Sequence, residues 1–515
     1  MPFYNYKSRI LIAVFDRIGS REIEQIKLIN KERIQNMNLT EYAQYDGLGL
    51  AEIIRSGEFT STEAAELFIA AVEKVNPQIN SVVEVYDDAL EIAKGALNGK
   101  GPFAGVPYLR KDLGATEGGR LQELGSRLFK GYVPHKDSFL MTRFKTAGLI
   151  CMGRSTVPEL GISGQTETIV QGITRNPWNP ERMAGGSSGG AAASVAAGIV
   201  PVAHASDGGG SIRIPASCCG LVGLNPSRGR ISGGPDRQDS MFGLAREFVV
   251  SRSVRDTAAM LDAVHGSDVG DPFIIVRPER PYMEELQAPA SNLRIAFTAD
   301  PWGPYPVDGE IQKTAEKVAS VCEDMGHSIE KASPALDFVK VNTVVMNVFG
   351  LADAGIAKTA ESMGRELSLD YLEPGTLKMI ERARNLTIPE IMDSFEVMRQ
   401  ARYIVGQFFR KYDLFITPSL SLLPQPHGIF STKRDDLEPH EFWENDFRIF
   451  QHMGLFSVTG TPSVSLPLGF SESGLPIGVQ FAAPFGDEAA LICIAAAFEE
   501  AMPWKDSIPT VHVSH

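Results

Sequence analysis

Two glycine clusters separated by an alanine-rich segment constrain the fold of this chain more than any other sequence feature. The first cluster is Gly-Gly-Ser-Ser-Gly-Gly at 185–190, and the second is Gly-Gly-Gly-Ser at 208–211. Residues 191–198 between them are mostly alanine, which favours a buried helix over a flexible glycine-serine linker. Closely spaced glycines can adopt positive φ angles and let backbone N–H groups approach a ligand. The two clusters are therefore predicted to be ordered loops at a functional site.

Short strands alternate with helices along most of the chain. Residues 293–297 and 414–416 are apolar runs typical of buried strands. Residues 308–325 carry apolar side chains at helical spacing and predict an amphipathic helix. Two runs of alternating apolar residues, 464–470 and 477–481, enclose a Ser-Glu-Ser-Gly turn and predict a β-hairpin. Together these patterns predict an α/β protein with a large sheet.

Residues 1–40 differ from the rest of the chain, because isoleucines recur there at near-helical spacing among many charged residues. They predict an N-terminal helical extension that packs on the body, joins a partner or lies on a membrane surface. The remaining residues, 41–515, are predicted to form one domain. Within it, Thr60 and Glu63 fit a capping box that begins a helix, and the pair Asn76-Pro77 is expected to end that helix.

Composition argues against several functional classes. The net charge of −14 disfavours a general binder of nucleic-acid backbones, since such proteins need a positive field. The five cysteines include no Cys-x-x-Cys pair, so neither a disulfide framework nor a zinc ribbon is predicted. The apolar stretches 191–203 and 489–498 are shorter than the roughly 20 residues that a membrane-spanning helix needs. We therefore expect a cytoplasmic protein with neither a membrane nor a nucleic acid as partner.

Three kinds of chemistry could use the glycine loops. Phosphate binding is disfavoured, because no Gly-Lys-Ser/Thr triplet follows either cluster. An α/β-hydrolase would use Ser187, which fits Gly-x-Ser-x-Gly, but no buried strand precedes it and no later histidine has a distinctive setting. The third possibility uses Lys111, which lies in the apolar run 103–113. A buried lysine has a lowered pKa, so it can accept a proton from a serine and replace histidine as the base.

Residues 185–232 together with Lys111 closely resemble the amidase signature family of serine hydrolases. The second glycine cluster lies within Ser-Asp-Gly-Gly-Gly-Ser-Ile-Arg-Ile-Pro at 206–215, and Gly-Leu-Val-Gly-Leu-Asn-Pro-Ser-Arg-Gly-Arg-Ile follows at 220–231. Residues 460–480 resemble the closing hairpin of the family. The resemblance implies a single large α/β domain with a central mixed β-sheet covered by helices, here residues 41–515.

The resemblance also implies a Ser–Ser–Lys triad. Ser211 would be the nucleophile that becomes acylated, Ser187 would follow a cis peptide bond and relay protons, and Lys111 would be the base. An oxyanion hole would be formed by four backbone N–H groups, those of Gly208, Gly209, Gly210 and Ser211. Neither a metal nor an organic cofactor is implied.

Four further residues near the triad receive plainer interpretations. Ser188 is expected to hydrogen-bond near the relay or to shape the turn. Asp207 and Arg213 are expected to form an ion pair that orients the nucleophile's loop. His204 is expected to be a structural histidine with satisfied hydrogen bonds.

The function that the resemblance implies is hydrolysis of a small-molecule carboxamide to an acid and an amine or ammonia. Residues 101–113 and 174–179 resemble a bacterial subgroup acting on cyclic amides, which favours aliphatic or cyclic substrates. Two alternatives stay open: the glutamine-hydrolysing subunit of a tRNA-dependent amidotransferase, and an α/β-hydrolase-type esterase that uses Ser187. A homodimer is a possible assembly.

Overall fold

The computed structural model of this protein describes residues 37–95, 100–288, 290 and 292–515. The strands in these ranges are β1 (Val82–Val85), β2 (Pro107–Lys111), β3 (Ile150–Ser155), β4 (Glu167–Thr168), β5 (Gly172–Ile173), β6 (Arg175–Asn176), β7 (Asn179–Met183), β8 (Val202–Asp207), β9 (Val222–Asn225), β10 (Arg246–Ser251), β11 (Arg294–Phe297), β12 (Ser328–Lys331), β13 (Leu414–Pro418), β14 (Ser463–Phe470) and β15 (Pro476–Ala482).

Eleven strands of the described ranges form one sheet, in the order β1-β3-β2-β8-β10-β9-β14-β15-β13-β11-β12. β2 runs parallel to β3 and β8, and β11 runs parallel to β12 and β13. The other neighbouring pairs are antiparallel. The sheet is therefore mixed, as the resemblance implied. Two small two-stranded sheets, β4-β5 and β6-β7, lie outside it.

Helices cover this sheet. They are α1 (Leu39–Tyr42), α2 (Gly47–Arg55), α3 (Ser61–Ile79), α4 (Ala89–Gly95), α5 (Phe139–Thr146), α6 (Gly189–Ala196), α7 (Arg213–Cys219), α8 (Val254–Val264), α9 (Tyr282–Glu285), α10 (Gly309–Asp324), α11 (Phe338–Ala354), α12 (Ala357–Ser362), α13 (Pro374–Arg384), α14 (Ile388–Phe408), α15 (Pro439–Phe450), α16 (Gly454–Thr459) and α17 (Glu488–Ala501). For example, α6 packs on β8 and α10 packs on β13 and β15. The predicted α/β class, with a mixed sheet covered by helices, is confirmed.

The alanine-rich segment between the glycine clusters forms the buried helix that its composition predicted. Every residue of α6 is buried, and no side chain in it is larger than valine. Small side chains let the helix backbone approach the sheet closely. At Gly190 a Cβ atom would lie only 2.5 Å from the backbone nitrogen of Thr156, so a larger residue would force the helix away. The first glycine cluster is thereby held against β3.

The predicted strands, the hairpin and the helix at 308–325 are present with nearly the expected bounds. β14 and β15 pair antiparallel around the Ser-Glu-Ser-Gly turn, and β11 and β13 are buried neighbours. The predicted extension at 1–40 lies, up to residue 36, outside the described residues. The division of the chain at residue 41 therefore stays a prediction.

The end of α3 differs from the expectation. The helix begins at the predicted capping box of Thr60 and Glu63, but it continues through Pro77 to Ile79. Pro77 lies in the last turn, so the N–H that proline lacks removes one hydrogen bond near the end of the helix and leaves the preceding turns intact. Asn80, with a φ of 48°, ends the helix instead and donates its N–H to the carbonyl of Asn76. The expectation that Asn76-Pro77 ends the helix was wrong for this reason.

One further apolar stretch, Phe338–Ser362, is long and apolar enough to cross a membrane by length and composition, with a mean hydropathy of 1.2. Sequence analysis overlooked it because polar residues interrupt the run. It comprises α11 and α12, and α11 buries Val341, Val344 and Val348 in a hydrophobic cluster that includes residues of α14 and α16. A buried apolar face is also what a helix in a packed protein core requires.

We predict that Phe481→Ala destabilises the fold strongly. Phe481 is completely buried in β15, and its ring contacts that of Phe498. Truncating a buried phenylalanine removes apolar contacts and leaves a cavity, which costs about 3–5 kcal/mol. The matched control is Phe485→Ala, because Phe485 is 52% exposed. The free energy of unfolding, measured in urea by tryptophan fluorescence, should fall much further for the first variant, and equal losses would contradict this account of the core.

Candidate active site

Two parallel strands bring the first group of candidate residues together. Lys111 is the last residue of β2, and Ser206 lies near the end of β8, its parallel neighbour in the sheet. Ser187 and Ser188 come immediately before α6, which packs on both strands. The carboxyl ends of neighbouring parallel strands meet at one edge of a sheet. All four side chains are buried at this edge.

The amine of Lys111 lies among three serine hydroxyls. Its Nζ is 2.8 Å from Ser187 Oγ, 2.8 Å from Ser188 Oγ and 2.9 Å from Ser206 Oγ. Among the described residues, no carboxylate lies within ion-pair distance of this amine. Burial lowers the pKa of Lys111 to about 7, although the negative charges of Glu247 and Asp207 partly oppose the shift. The amine can therefore exist in its uncharged form near neutral pH.

Ser187 follows a cis peptide bond, as the resemblance implied. The bond joins Gly186 and Ser187. Gly186 packs closely against the segment 163–165, because a Cβ atom there would lie 2.6 Å from the carbonyl oxygen of Ser163. The loop that carries Ser187 is thereby pressed against a segment that also lines the neighbouring cavity.

Ser211 lies in the second glycine cluster, just before α7, and it lines a cavity of about 230 Å³. Within the described residues its hydroxyl forms no hydrogen bond with Ser187 or Lys111. The structure thus joins Lys111 to Ser187 directly and places Ser211 separately at the cavity wall. Proton transfer between Ser187 and Ser211 would require their hydroxyls to come within hydrogen-bond reach of each other.

The predicted ion pair between Asp207 and Arg213 is present and buried. Arg213 donates from Nε to Asp207 Oδ2 and from Nη2 to Asp207 Oδ1, both at 2.9 Å. Arg213 also donates to Gln480 Oε1 at 2.8 Å and to Ser463 Oγ at 3.1 Å. These two residues belong to β15 and β14. The ion pair therefore ties the loop of Ser211 to the middle of the sheet.

The four predicted oxyanion donors are not equivalent. The N–H of Gly210 is donated to Asp207 Oδ1 at 2.7 Å. The N–H groups of Gly208, Gly209 and Ser211 have no acceptor within the described part of the chain. Gly210 has a φ of 139°, and a Cβ atom there would lie 2.7 Å from Ile214 Cδ1, so only glycine fits this position. Of the other three, Gly209 and Ser211 line the cavity, whereas Gly208 is buried outside its lining.

Two residues of the site, Ser206 and Glu247, went unassigned in the sequence. Ser206 contacts the amine of Lys111, although its only signal was its place at the start of the Ser-Asp-Gly-Gly-Gly-Ser motif. His204 Nδ1 accepts the backbone N–H of Lys111 at 3.2 Å, and its Nε2 lies 3.2 Å from Glu247 Oε2. Both ring nitrogens of His204 are thus engaged, which agrees with a structural role. Glu247 carried no sequence signal.

The cavity beside Ser211 is mostly apolar and is enclosed by segments distant in sequence. Its walls come from the segment 162–164, from the second glycine cluster, from α11 and from α15. Its apolar lining includes Ile162, Val345, Phe349, Phe447 and Phe450. Within the described ranges, no cluster of three or more His, Cys, Asp or Glu side chains could hold a metal ion.

Comparison with known proteins finds relatives over most of the chain. Residues 63–492 match the family model named Amidase. The chain is 37% identical over 476 residues to the 6-aminohexanoate-cyclic-dimer hydrolase of Paenarthrobacter ureafaciens, covering 89% of this chain and 95% of that protein. It is 30% identical over 481 residues to a lipoamidase of Enterococcus faecalis, covering 89% of this chain and 63% of that protein.

Solved structures agree as well. The structure of 6-aminohexanoate cyclic dimer hydrolase complexed with substrate has a TM-score of 0.86 and 36% identity, covering 91% of this chain and 99% of that one. A bacterial aryl acylamidase of the amidase signature family has a TM-score of 0.81 and 27% identity. The match covers 89% of this chain and 96% of that one. The chain belongs to the amidase signature family and is a hydrolase of amide carbon–nitrogen bonds. The resemblance read from the sequence is confirmed.

The α/β-hydrolase alternative does not fit the fold. That class places its nucleophile directly after a central strand of the main sheet. Here the strand before Ser187 is β7, which pairs with β6 in a separate two-stranded sheet and is mostly solvent-accessible. Ser187 therefore does not occupy a nucleophile elbow.

We predict that Arg213→Ala destabilises the protein by about 3–5 kcal/mol, because it leaves the buried carboxylate of Asp207 without its partner. The matched control is Arg294→Ala, which removes an ion pair with Asp413 at the surface. An exposed pair contributes about 0–1 kcal/mol. The free energies of unfolding of both variants, measured in urea, test the prediction. A loss for Arg213→Ala no greater than that of the control would show that the buried pair does not anchor the loop.

Proposed function

We propose that this protein hydrolyses amides through an acyl-enzyme on Ser211, with Ser187 relaying protons between Ser211 and Lys111. The observation that carries the proposal is the buried amine of Lys111, 2.8 Å from Ser187 Oγ. A desolvated lysine with no carboxylate partner among the described residues can serve as a base near pH 7. In this scheme neither Ser187 nor Ser211 needs a histidine to accept its proton.

In the proposed acylation step, two protons move toward Lys111. Uncharged Lys111 accepts the proton of Ser187 while Ser187 accepts that of Ser211, and Ser211 Oγ attacks the carbonyl carbon of the amide. The negative oxygen that develops accepts hydrogen bonds from the N–H groups of Gly209 and Ser211, the predicted donors that line the cavity. Preorganised donors of this kind stabilise the transition state more than the substrate.

The reverse transfer completes the reaction. Lys111, now an ammonium, returns a proton through Ser187 to the leaving nitrogen, because an amide nitrogen leaves readily only when it is protonated. A water molecule then attacks the acyl-enzyme along the same relay and releases the acid. Ser188 and Ser206, which contact Lys111 Nζ, would hold the amine in place in both of its protonation states.

We infer that the substrates are small aliphatic or cyclic amides. The mostly apolar cavity beside Ser211 supports this inference, and so do the relatives named as 6-aminohexanoate cyclic dimer hydrolases. A solved glutamyl-tRNA(Gln) amidotransferase structure from Thermotoga maritima shares the fold at 23% identity, which carries no argument about glutamine as substrate. A cytoplasmic location and a homodimer stay predictions.

We predict that kcat/KM for a neutral anilide rises with pH through about 7 and is constant above it. The uncharged form of Lys111 is the proposed base, and burial places its pKa at about 7. Lys111→Ala should lower kcat/KM by about 10²–10⁴-fold, the usual contribution of a general base. Lys136→Ala, which changes an exposed lysine, is the matched control. A rate that falls between pH 6 and 8, or an active Lys111→Ala variant, would remove Lys111 as the base.

We predict that a fluorophosphonate probe forms its adduct on Ser211. The reason is that Ser211 is the proposed nucleophile and lines the cavity that the probe enters. Peptide mapping by mass spectrometry identifies the labelled serine. Ser211→Ala should abolish labelling, whereas Ser328→Ala, at an exposed serine of β12, should leave it unchanged. An adduct on Ser187 would refute the proposed assignment of nucleophile and relay.

A further inference from the structure

An acidic side chain lies on the aromatic face of α15 that lines the cavity beside Ser211. Asp446 is flanked on this face by Trp443, Phe447 and Phe450, all of which line the same cavity. A helix face of this kind normally carries only apolar residues where it meets the interior. A carboxyl group in this position is a local exception, and such exceptions are often found at functional sites.

The carboxyl group of Asp446 lacks a partner on one oxygen. Its Oδ1 is shielded from solvent and has no hydrogen-bond donor among the described residues. Burial raises the pKa of Asp446 to about 7, and the backbone N–H of Gly164 opposes this shift only in part. No lysine or arginine in the described ranges forms an ion pair with it. A buried polar atom without a partner destabilises the folded protein unless water or a ligand supplies the missing hydrogen bond.

The charges and rings around the cavity favour a cationic ligand group. Its wall includes no lysine or arginine and two acidic residues, of which Glu444 is exposed and screened by water, so Asp446 provides the acidic contact. The aromatic side chains of Trp443, Phe447 and Phe349 also line the cavity, and aromatic rings attract ammonium groups at their faces. A substrate with a carboxylate would meet like charges here, whereas a substrate with an ammonium would meet complementary ones.

We propose that Asp446 selects amide substrates that carry an ammonium group in addition to the amide bond that is cleaved. The ammonium donates to Asp446 Oδ1 and lies against the aromatic rings of α15, while the scissile carbonyl is held at Ser211. This inference rests on the proposed function, because it places the scissile bond at Ser211. Asp446 is a specificity-determining residue in this scheme and takes no part in bond cleavage.

The test compares matched substrates that differ in a single group. The first pair is 6-aminohexanoyl anilide and heptanoyl anilide, in which a methyl group replaces the ammonium on the acyl side. The second pair is N-(6-aminohexyl)hexanamide and N-heptylhexanamide, which places the same difference on the amine side. The ratio of kcat/KM within each pair measures recognition of the ammonium alone, because each pair shares its scissile bond.

Two variants of the same helix face are compared with the unmodified protein. Asp446→Asn keeps the shape of the side chain and removes its charge, and Glu444→Gln does the same at an exposed acid of the cavity wall. We expect the unmodified protein to prefer the ammonium member of at least one pair by about tenfold, as a desolvated charge-assisted contact allows. Asp446→Asn should abolish that preference, and Glu444→Gln should change it by less than about twofold, because water screens exposed charges.

The outcomes separate this inference from the proposed function. If Asp446→Asn hydrolyses the neutral amides normally and loses only the preference, both stand. If the preference persists in Asp446→Asn, or if neither ammonium substrate is preferred by the unmodified protein, the role of Asp446 is refuted while amide hydrolysis remains. If Asp446→Asn loses activity toward neutral and ammonium substrates equally, Asp446 is structural and the inference is also refuted. The proposed function itself fails only if no adduct or turnover depends on Ser211.

Discussion

The site depends on one physical condition: the Lys111 amine is buried away from water, and no carboxylate among the described residues neutralises it. An amine in that position is stabilised by donating hydrogen bonds to neutral groups, and here three serine hydroxyls surround it. Because hydroxyls can both donate and accept, they can accommodate the amine with or without its extra proton. The negative charges of Glu247 and Asp207 limit the loss of basicity, so the pKa stays near neutrality. The proposed proton relay follows from this balance of burial and charge.

The fold provides that condition through close packing around the central strands. β2 and β8 carry Lys111 and Ser206 to the same sheet edge, and α6 brings the serines of the first glycine cluster against them. The second cluster is held by the buried pair of Asp207 and Arg213, which reaches into β14 and β15. A mobile loop could not keep N–H donors directed at one point. The backbone of the site is thus fixed by the same sheet that forms the core.

The sequence predicted the parts of the site that depend on local motifs and missed those that depend on neighbours in space. Lys111, Ser187 and Ser211 were found because glycines and an unexpected lysine are visible in the chain itself. Glu247 carried no motif, and it became relevant only because β10 lies beside β8. Asp446 was also missed, because one acid on an amphipathic helix resembles an ordinary surface residue. The hydrogen bond from the N–H of Gly210 to Asp207 depends on loop geometry, which no residue pattern reveals.

Resemblance to the amidase signature family named the three residues proposed for catalysis, and the sequence by itself determined the α/β class and the ordered state of the two glycine clusters. Periodicity and steric limits act over a few residues, so these features can be read locally. Only the tertiary structure decided which groups share a cavity, which backbone donors remain available and how far burial shifts the pKa of Lys111. Solvation and electrostatic fields depend on every atom within several ångströms, and the fold assembles those atoms from segments far apart in the chain.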